Sequence, residues 1–302
     1  MALLYFSPDD RLPAWEKAFS AAGEVLLAGQ EAVTDPGAVT HLVCWDVPDL
    51  SAYPNLRVVI SKGAGVDHFP PMPPGVKLCR MLAPGIDHLV RDWVIMATLA
   101  LHRDLPAYLQ QAQSGDWTAK NVPLAQDRRI GIMGMGRIGA LCANSLMNLG
   151  FPVSGWSRSG HDISGALSYT GDQLGEFLAQ SDLLICLLPL TEATRGILGP
   201  SLFRALPKGA LLVHAGRGSQ LDMDALHEAL DQGQLAAAML DVTNPEPLPQ
   251  DHWAWSDTRV IITPHIGART PGREGAVHAL AILKAEKDGT ALPGEIHSIR
   301  GY

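Results

Sequence analysis

The stretch "IGIMGMGRIGALCANSL", Ile130 to Leu146, decides the fold. Its first four residues are apolar and read as a strand. Gly134-x-Gly136-x-x-Gly139 follows, and the rest carries a helical pattern. In that context the first glycine makes a tight turn and the second lets a pyrophosphate approach the backbone. The third lets helix and strand pack closely. The helix start then offers unpaired N–H groups and partial positive charge to phosphates. Gly134, Met135, Gly136, Arg137 and Ile138 are therefore candidate dinucleotide contacts.

The next strand end chooses the dinucleotide. A site for NAD(H) usually places a carboxylate there, accepting from the ribose hydroxyls. This chain reads "VSGWSRSG", Val153 to Gly160, with Ser157, Arg158 and Ser159 where the acid would stand. A carboxylate would repel a 2′-phosphate, whereas an arginine flanked by hydroxyls would hold one. The reading is NADP(H), with NAD(H) as the alternative if Arg158 is only a surface charge.

Working outward, the same alternation of apolar runs and helical stretches fills the chain. "ALLYF", "EVLLA", "THLVCW", "RVVIS" and "VKLC" form a first series of strands before residue 80. A second series begins near 129, 153, 183, 210, 236 and 260. The runs are too continuously apolar for sheets with one wet face, so parallel strands covered on both faces are expected. Two βα series predict an α/β protein with two doubly wound parallel-sheet domains and a cleft between them. A single helix over about 87–113 is the expected bridge. The segment from Thr270 is helical and is expected to return to the first domain. The expected boundaries are 1–92 plus 270–302 for one domain and 93–269 for the dinucleotide-binding domain.

The 302 residues carry a formal net charge of −8 and no basic stripe, which argues against nucleic acid. No apolar run reaches the roughly 18–20 residues of a membrane span. The N-terminus reads as a strand rather than a secretion signal. Cys44, Cys79, Cys142 and Cys186 stand singly in apolar surroundings, so reduced buried thiols in a cytoplasmic protein are expected, with no metal site.

Three polar residues lie at strand ends in the second series: Arg217 in "VHAGRGSQLD", Glu246 in "LDVTNPEPLP" and His265 in "VIITPHIGA". In open parallel sheets ligands collect at the carboxyl ends of strands. Histidine is the natural proton donor near neutral pH, and a neighbouring carboxylate would fix its tautomer and favour its charged form. An arginine fork can grip a carboxylate and stabilise charge on the adjacent carbonyl oxygen. That division of labour suits reduction of a 2-oxo acid. Each residue alone has a structural alternative; their order after a dinucleotide turn is what points to chemistry.

These motifs, with "LLPLTEATRGILG", resemble in order those of the D-isomer-specific 2-hydroxyacid dehydrogenases. "GAGVDH", "GWSRS" and the terminal "RGY" resemble the glyoxylate/hydroxypyruvate reductase A branch. The resemblance implies a flavodoxin-like substrate domain joined to an NAD(P)-binding Rossmann domain, usually as a homodimer. It implies an Arg, Glu, His triad at Arg217, Glu246 and His265, and a substrate carboxylate held by the N–H groups of Ala64 and Gly65. It also implies cofactor contacts near Leu188, Pro189, Ala215, Asp241, His265 and Gly267.

The chain departs from that pattern in places. His214 stands where the family often has asparagine. Lys62 and Arg269 are charges that the pattern does not lead one to expect, either extra anion contacts or solvated cations. Trp45 is a candidate wall of the substrate pocket, and Trp117 a candidate dimer contact. Two rival readings remain: a dinucleotide-sensing binding protein of the same fold, and an enzyme resembling 3-phosphoglycerate dehydrogenase. The complete triad argues against the first. The apparent NADP turn and the short C-terminal segment argue against the second.

Overall fold

The computed structural model describes residues 2–158 and 164–296. By contact density the chain divides into two compact units, Met1–Ile86 with Arg269–Tyr302, and Asp87–Ala268.

In chain order the elements of the first unit are β1 (Ala2–Tyr5), α1 (Leu12–Ala22), β2 (Val25–Ala28), β3 (Val39–Cys44), β4 (Val58–Ser61) and β5 (Lys77–Cys79). They form one parallel sheet of order β2-β1-β3-β4-β5, the flavodoxin-like arrangement. Every residue of β1, β3 and β4 is buried, which is why those strands read as unbroken apolar runs.

α2 (Pro84–His102) and α3 (Leu105–Ser114) come next, where a single helix was expected. Pro106 has no N–H to offer the His102 carbonyl, and Asp104 turns the chain at φ 57°. The hydrophobic periodicity continues across this break, which is why the sequence concealed it.

The second unit's sheet begins with β6 (Ile130–Met133), α4 (Arg137–Asn148), β7 (Val153–Ser157) and β8 (Leu167–Thr170). α5 (Leu174–Ala179), β9 (Leu183–Cys186), α6 (Pro200–Ala205), β10 (Ala210–His214), α7 (Met223–Asp231), β11 (Leu235–Leu240) and β12 (Val260–Ile262) follow. All seven strands are parallel, in the order β12-β11-β10-β9-β6-β7-β8. Counted from β6, this is the Rossmann order with one further strand. The edge strand β8 was not anticipated: "LSYT" is short and partly exposed, and gives no apolar run.

The period of two divides each strand between two cores. Ile130, Ile132, Leu183, Ile185, Leu211 and Val213 pack on one face with Trp93, Val94 and Ala97 of α2. Met133, Leu184, Cys186, Ala210 and Leu212 pack on the other, with Phe177 and Phe203. Covering both faces buries the sheet, leaving the carboxyl-end loops to meet ligands.

The last described helix is α8 (Gly272–Lys287), which belongs to the first unit and packs on α1. Arg57 donates to Glu286 at 2.6 Å and fastens α8 to the sheet. All four cysteines are free and buried, and burial pushes their thiols up to about 12. Such thiols are inert packing groups. Among the described residues no helix is long and apolar enough to cross a membrane, and no group of three metal-ligating side chains occurs.

Candidate active site

The glycine turn opens α4. Gly134 has φ +103°, and a Cβ there would stand 2.8 Å from the Leu187 backbone, so only glycine suits the turn. A Cβ on Gly139 would stand 2.0 Å from the Gly134 carbonyl oxygen; helix and turn touch at that point. Chain neighbours aside, no heavy atom of the described residues lies within 4 Å of the place a Cβ on Gly136 would occupy. The α4 N-terminus carries neither a capping side chain nor an acid in its first turn. The space and the orphan N–H groups suit a pyrophosphate.

At the end of β7 the Ser157 hydroxyl is buried without a hydrogen-bond partner among the described residues. Arg158 follows it, exposed. A buried unpaired hydroxyl at this strand end fits a bound polar ligand. Ser159, the third residue expected there, lies outside the described residues, as does the terminal "RGY".

β10, β11 and β12 are neighbours, so the loops at their carboxyl ends are neighbours too. Arg217, Glu246 and His265 stand on these three loops. His265 Nδ1 is 2.8 Å from Glu246 Oε2. Glu246 Oε1 accepts from the Thr243 N–H at 3.1 Å. Burial alone would raise the Glu246 pKa, but the His265 contact, the Thr243 N–H and the Arg217 charge outweigh it. The carboxyl is therefore held below its usual range, and Glu246 remains ionised at neutral pH. An ionised Glu246 accepts from Nδ1–H, which leaves His265 Nε2 to face a ligand.

His265 itself has φ +51°, uncommon for a residue with a side chain. Asp241 holds it there. The His265 N–H donates to the Asp241 carbonyl at 2.8 Å. The buried Asp241 carboxylate accepts from Ile266 N at 2.9 Å, Gly267 N at 2.7 Å and Thr263 Oγ1 at 2.6 Å. Trp93 Nε1 donates to that same Thr263 hydroxyl at 3.0 Å. The sequence suggested Asp241 and Gly267 only as cofactor contacts; the structure gives both a part in shaping the histidine loop. Thr263 and Trp93 escaped sequence reading, because nothing in their spacing marks the partners they find.

The Arg217 loop lies against the Glu246 loop. A Cβ on Gly218 would stand 1.9 Å from the Thr243 carbonyl oxygen, so a larger residue there would force the loops apart. His214 is fully buried, with Nε2 3.0 Å from the Arg217 carbonyl oxygen, and does not replace asparagine as an exposed ligand contact. Leu188 and Pro189 follow β9, and the Ala215 N–H bonds to Cys186 at 3.1 Å.

Burial pushes His214 down to about 4 from an ordinary 6.5. As pH falls from 6.5 towards 4, the unfolded chain gains a proton here and the folded chain does not. Stability is therefore retained above 6.5 and lost through that window, by about 3 kcal/mol from this residue at the acid end. Denaturant unfolding at both ends of the window should show a smaller acid loss in His214→Asn than in the parent. Equal losses would remove His214 as the source.

The first unit carries a second cluster. Ser61 Oγ donates to the Gly65 carbonyl at 2.8 Å and accepts from Gly63 N at 3.2 Å. This shapes the 63–65 loop and leaves the Ala64 and Gly65 N–H groups with no acceptor among the described residues. The Trp45 ring lies over Gly63, 2.8 Å from where a Cβ would stand, and packs at a tilt on the His68 ring, centroids 4.1 Å apart. Beside it runs an open groove of about 660 Å³ lined by Trp45, Asp46, His68 and Pro70.

Lys62 and Arg269 have carboxylate partners of their own. Lys62 Nζ donates to the Ser7 carbonyl at 2.5 Å and lies 3.6 Å from Asp9. Arg269 donates twice to Asp10, at 2.9 and 2.5 Å. Their charges are balanced within the unit, which removes the reason to read them as anion contacts. Trp117 is fully exposed.

A Rossmann-order sheet, a glycine turn and a His–Glu pair beside an arginine at its strand ends define a dinucleotide-dependent oxidoreductase. Comparison with known proteins narrows the class. Residues 95–267 match the D-isomer-specific 2-hydroxyacid dehydrogenase NAD-binding domain. A D-isomer-specific 2-hydroxyacid dehydrogenase from Xanthobacter autotrophicus Py2, solved with NADPH and MES, is 31% identical. It superimposes with a TM-score of 0.92, covering 100% of this chain and 99% of that one. The NADPH-dependent glyoxylate/hydroxypyruvate reductase of Sinorhizobium meliloti, solved with NADP and sulfate, is 33% identical. Its TM-score is 0.90, with 100% and 99% covered. A family member from Klebsiella pneumoniae 342 is 34% identical, with a TM-score of 0.88 and 98% and 97% covered. The chain belongs to the D-isomer-specific 2-hydroxyacid dehydrogenase family and is an oxidoreductase of that type.

Proposed function

We propose that the protein reduces a small 2-oxo acid, such as glyoxylate or hydroxypyruvate, to the D-2-hydroxy acid with NADPH, as in the glyoxylate/hydroxypyruvate reductase A branch. The observation that carries this reading is the 2.8 Å contact between His265 Nδ1 and Glu246 Oε2 on strand ends adjacent to Arg217. NADPH, when bound, supplies the hydride that adds to the carbonyl carbon. Arg217 binds the substrate carboxylate and polarises the adjacent carbonyl oxygen. His265 gives the proton from Nε2 to that oxygen as it gains charge. Glu246 keeps the proton on Nδ1 and stabilises the imidazolium before transfer. The Ala64 and Gly65 N–H groups are proposed carboxylate donors, and Trp45 a wall that limits the substrate's tail.

For the cofactor, the residues at the turn would hold the pyrophosphate, and Ser157 with Arg158 the adenosine ribose and its 2′-phosphate. Two NADP-bound relatives support this choice. Arg158→Ala is expected to raise KM for NADPH by about tenfold or more, the worth of a charge-assisted hydrogen bond, and to leave KM for NADH unchanged. Equal changes for both cofactors would place the 2′-phosphate elsewhere.

The experiment that tests the whole reading is a panel of 2-oxo acids assayed by loss of reduced-nicotinamide absorbance, with NADPH and NADH in parallel. Turnover of small 2-oxo acids with NADPH favoured is expected. Cofactor binding without turnover of any acid would favour the dinucleotide-sensing alternative. We also propose a cytoplasmic homodimer, which sedimentation of the purified protein would test for assembly.

A further inference from the structure

We propose that Gln220 is a positioning residue that ties the main chain of Arg217 to the cofactor-side turn at Leu188 and Pro189. The inference rests on the proposed role of Arg217 and adds a residue that no motif assigned. Gln220 is fully buried, an unusual place for an amide unless its hydrogen bonds are made. They are made to two functional segments. Its Oε1 accepts from the Arg217 N–H at 2.7 Å. Its Nε2 donates to the Leu188 carbonyl at 3.2 Å and the Pro189 carbonyl at 3.0 Å.

The other side of the Arg217 peptide is fixed as well. The Arg217 carbonyl accepts from the Gln220 N–H at 3.0 Å and faces His214 Nε2 at 3.0 Å. Gly216 makes room for the amide, since a Cβ there would stand 2.2 Å from Gln220 Oε1. The Arg217 main chain is thus fixed at both its N–H and its carbonyl. The long guanidinium side chain starts from a fixed base, set in register with the turn that follows β9. A positioned group loses much of its catalytic value when it shifts by about 1 Å, so Gln220 acts on the reaction through Arg217. A purely structural glutamine would contribute to folding and to nothing else.

The test is a double-mutant cycle on the full chain with NADPH and glyoxylate. Gln220→Met keeps the length of the side chain and removes its hydrogen bonding. It is expected to lower kcat/KM by about 10- to 100-fold and to weaken NADPH binding severalfold, the latter read by nicotinamide fluorescence without substrate. Combined with Arg217→Ala it should add no more than about twofold, because the two residues act as one unit. Multiplying effects, or a Gln220→Met enzyme with ordinary kcat/KM, would overturn the proposal.

If that variant does not fold, Gln220→Glu serves in its place, since it retains the acceptor for the Arg217 N–H and loses the donors to the turn. It is expected to keep KM for glyoxylate within about twofold while weakening NADPH binding by about tenfold, the worth of a lost buried hydrogen bond. Unchanged NADPH binding would overturn the link. An Arg217→Ala enzyme with ordinary kcat/KM would instead overturn the reading of the active site, and this inference with it.

Discussion

His265→Ala is expected to lower kcat for 2-oxo acid reduction by about a hundredfold to ten-thousandfold, the range that general acid catalysis supplies. NADPH affinity should change little, because the pyrophosphate turn and the Ser157 region are built on other strands. The expectation follows from geometry: Glu246 occupies Nδ1 at 2.8 Å, so Nε2 is the nitrogen left to deliver a proton. Steady-state kinetics with saturating NADPH, alongside a fluorescence titration of the cofactor, would check both halves. Near-ordinary turnover would remove His265 as the proton donor. A parallel loss of cofactor binding would show a collapsed loop rather than a lost acid.

Arg217→Ala is expected to raise KM for the oxo acid and to lower kcat, the latter by about a hundredfold to a thousandfold, as when one donor to a developing oxyanion is removed. The two constants report different contacts. A guanidinium that only held the substrate carboxylate would bind ground and transition states alike, and its loss would appear in KM alone. One that also polarises the carbonyl must appear in kcat. Arg217→Lys should recover little, because an ammonium cannot reproduce the bidentate fork. A change confined to KM would reduce Arg217 to a binding residue and pass the polarising role to another group.

Much of the fold was legible in the chain. The runs at β6, β9 and β10 read as fully buried strands because both of their faces meet apolar layers. The glycine turn was legible because two of its constraints are local: the positive φ of Gly134 and the contact of Gly139 with Gly134 lie within six residues. The break between α2 and α3 was misread because apolar spacing runs on through Asp104 and Pro106. β8 was missed because a half-exposed edge strand carries no apolar run.

The site was legible in its chemistry and not in its supports. Arg217, Glu246 and His265 were visible as polar residues at strand ends. Nothing local marks Gln220 as buried, or marks Asp241 as the acceptor of two N–H groups and a hydroxyl. Lys62 and Arg269 read as extra anion contacts or as solvated cations, because the chain does not show that Asp9 and Asp10 meet them.

The amino-acid order by itself determined the class of this protein: periodicity set two parallel sheets, the glycines set the turn, and residue type set which groups can move a proton or hold an anion. Tertiary structure alone decided which of those groups are available. Hydrogen-bond partners are supplied by distant residues, as Thr263 is by Trp93, 170 positions away. A lone pair or proton already engaged in that way is no longer free for a ligand, and no pattern along the chain records it.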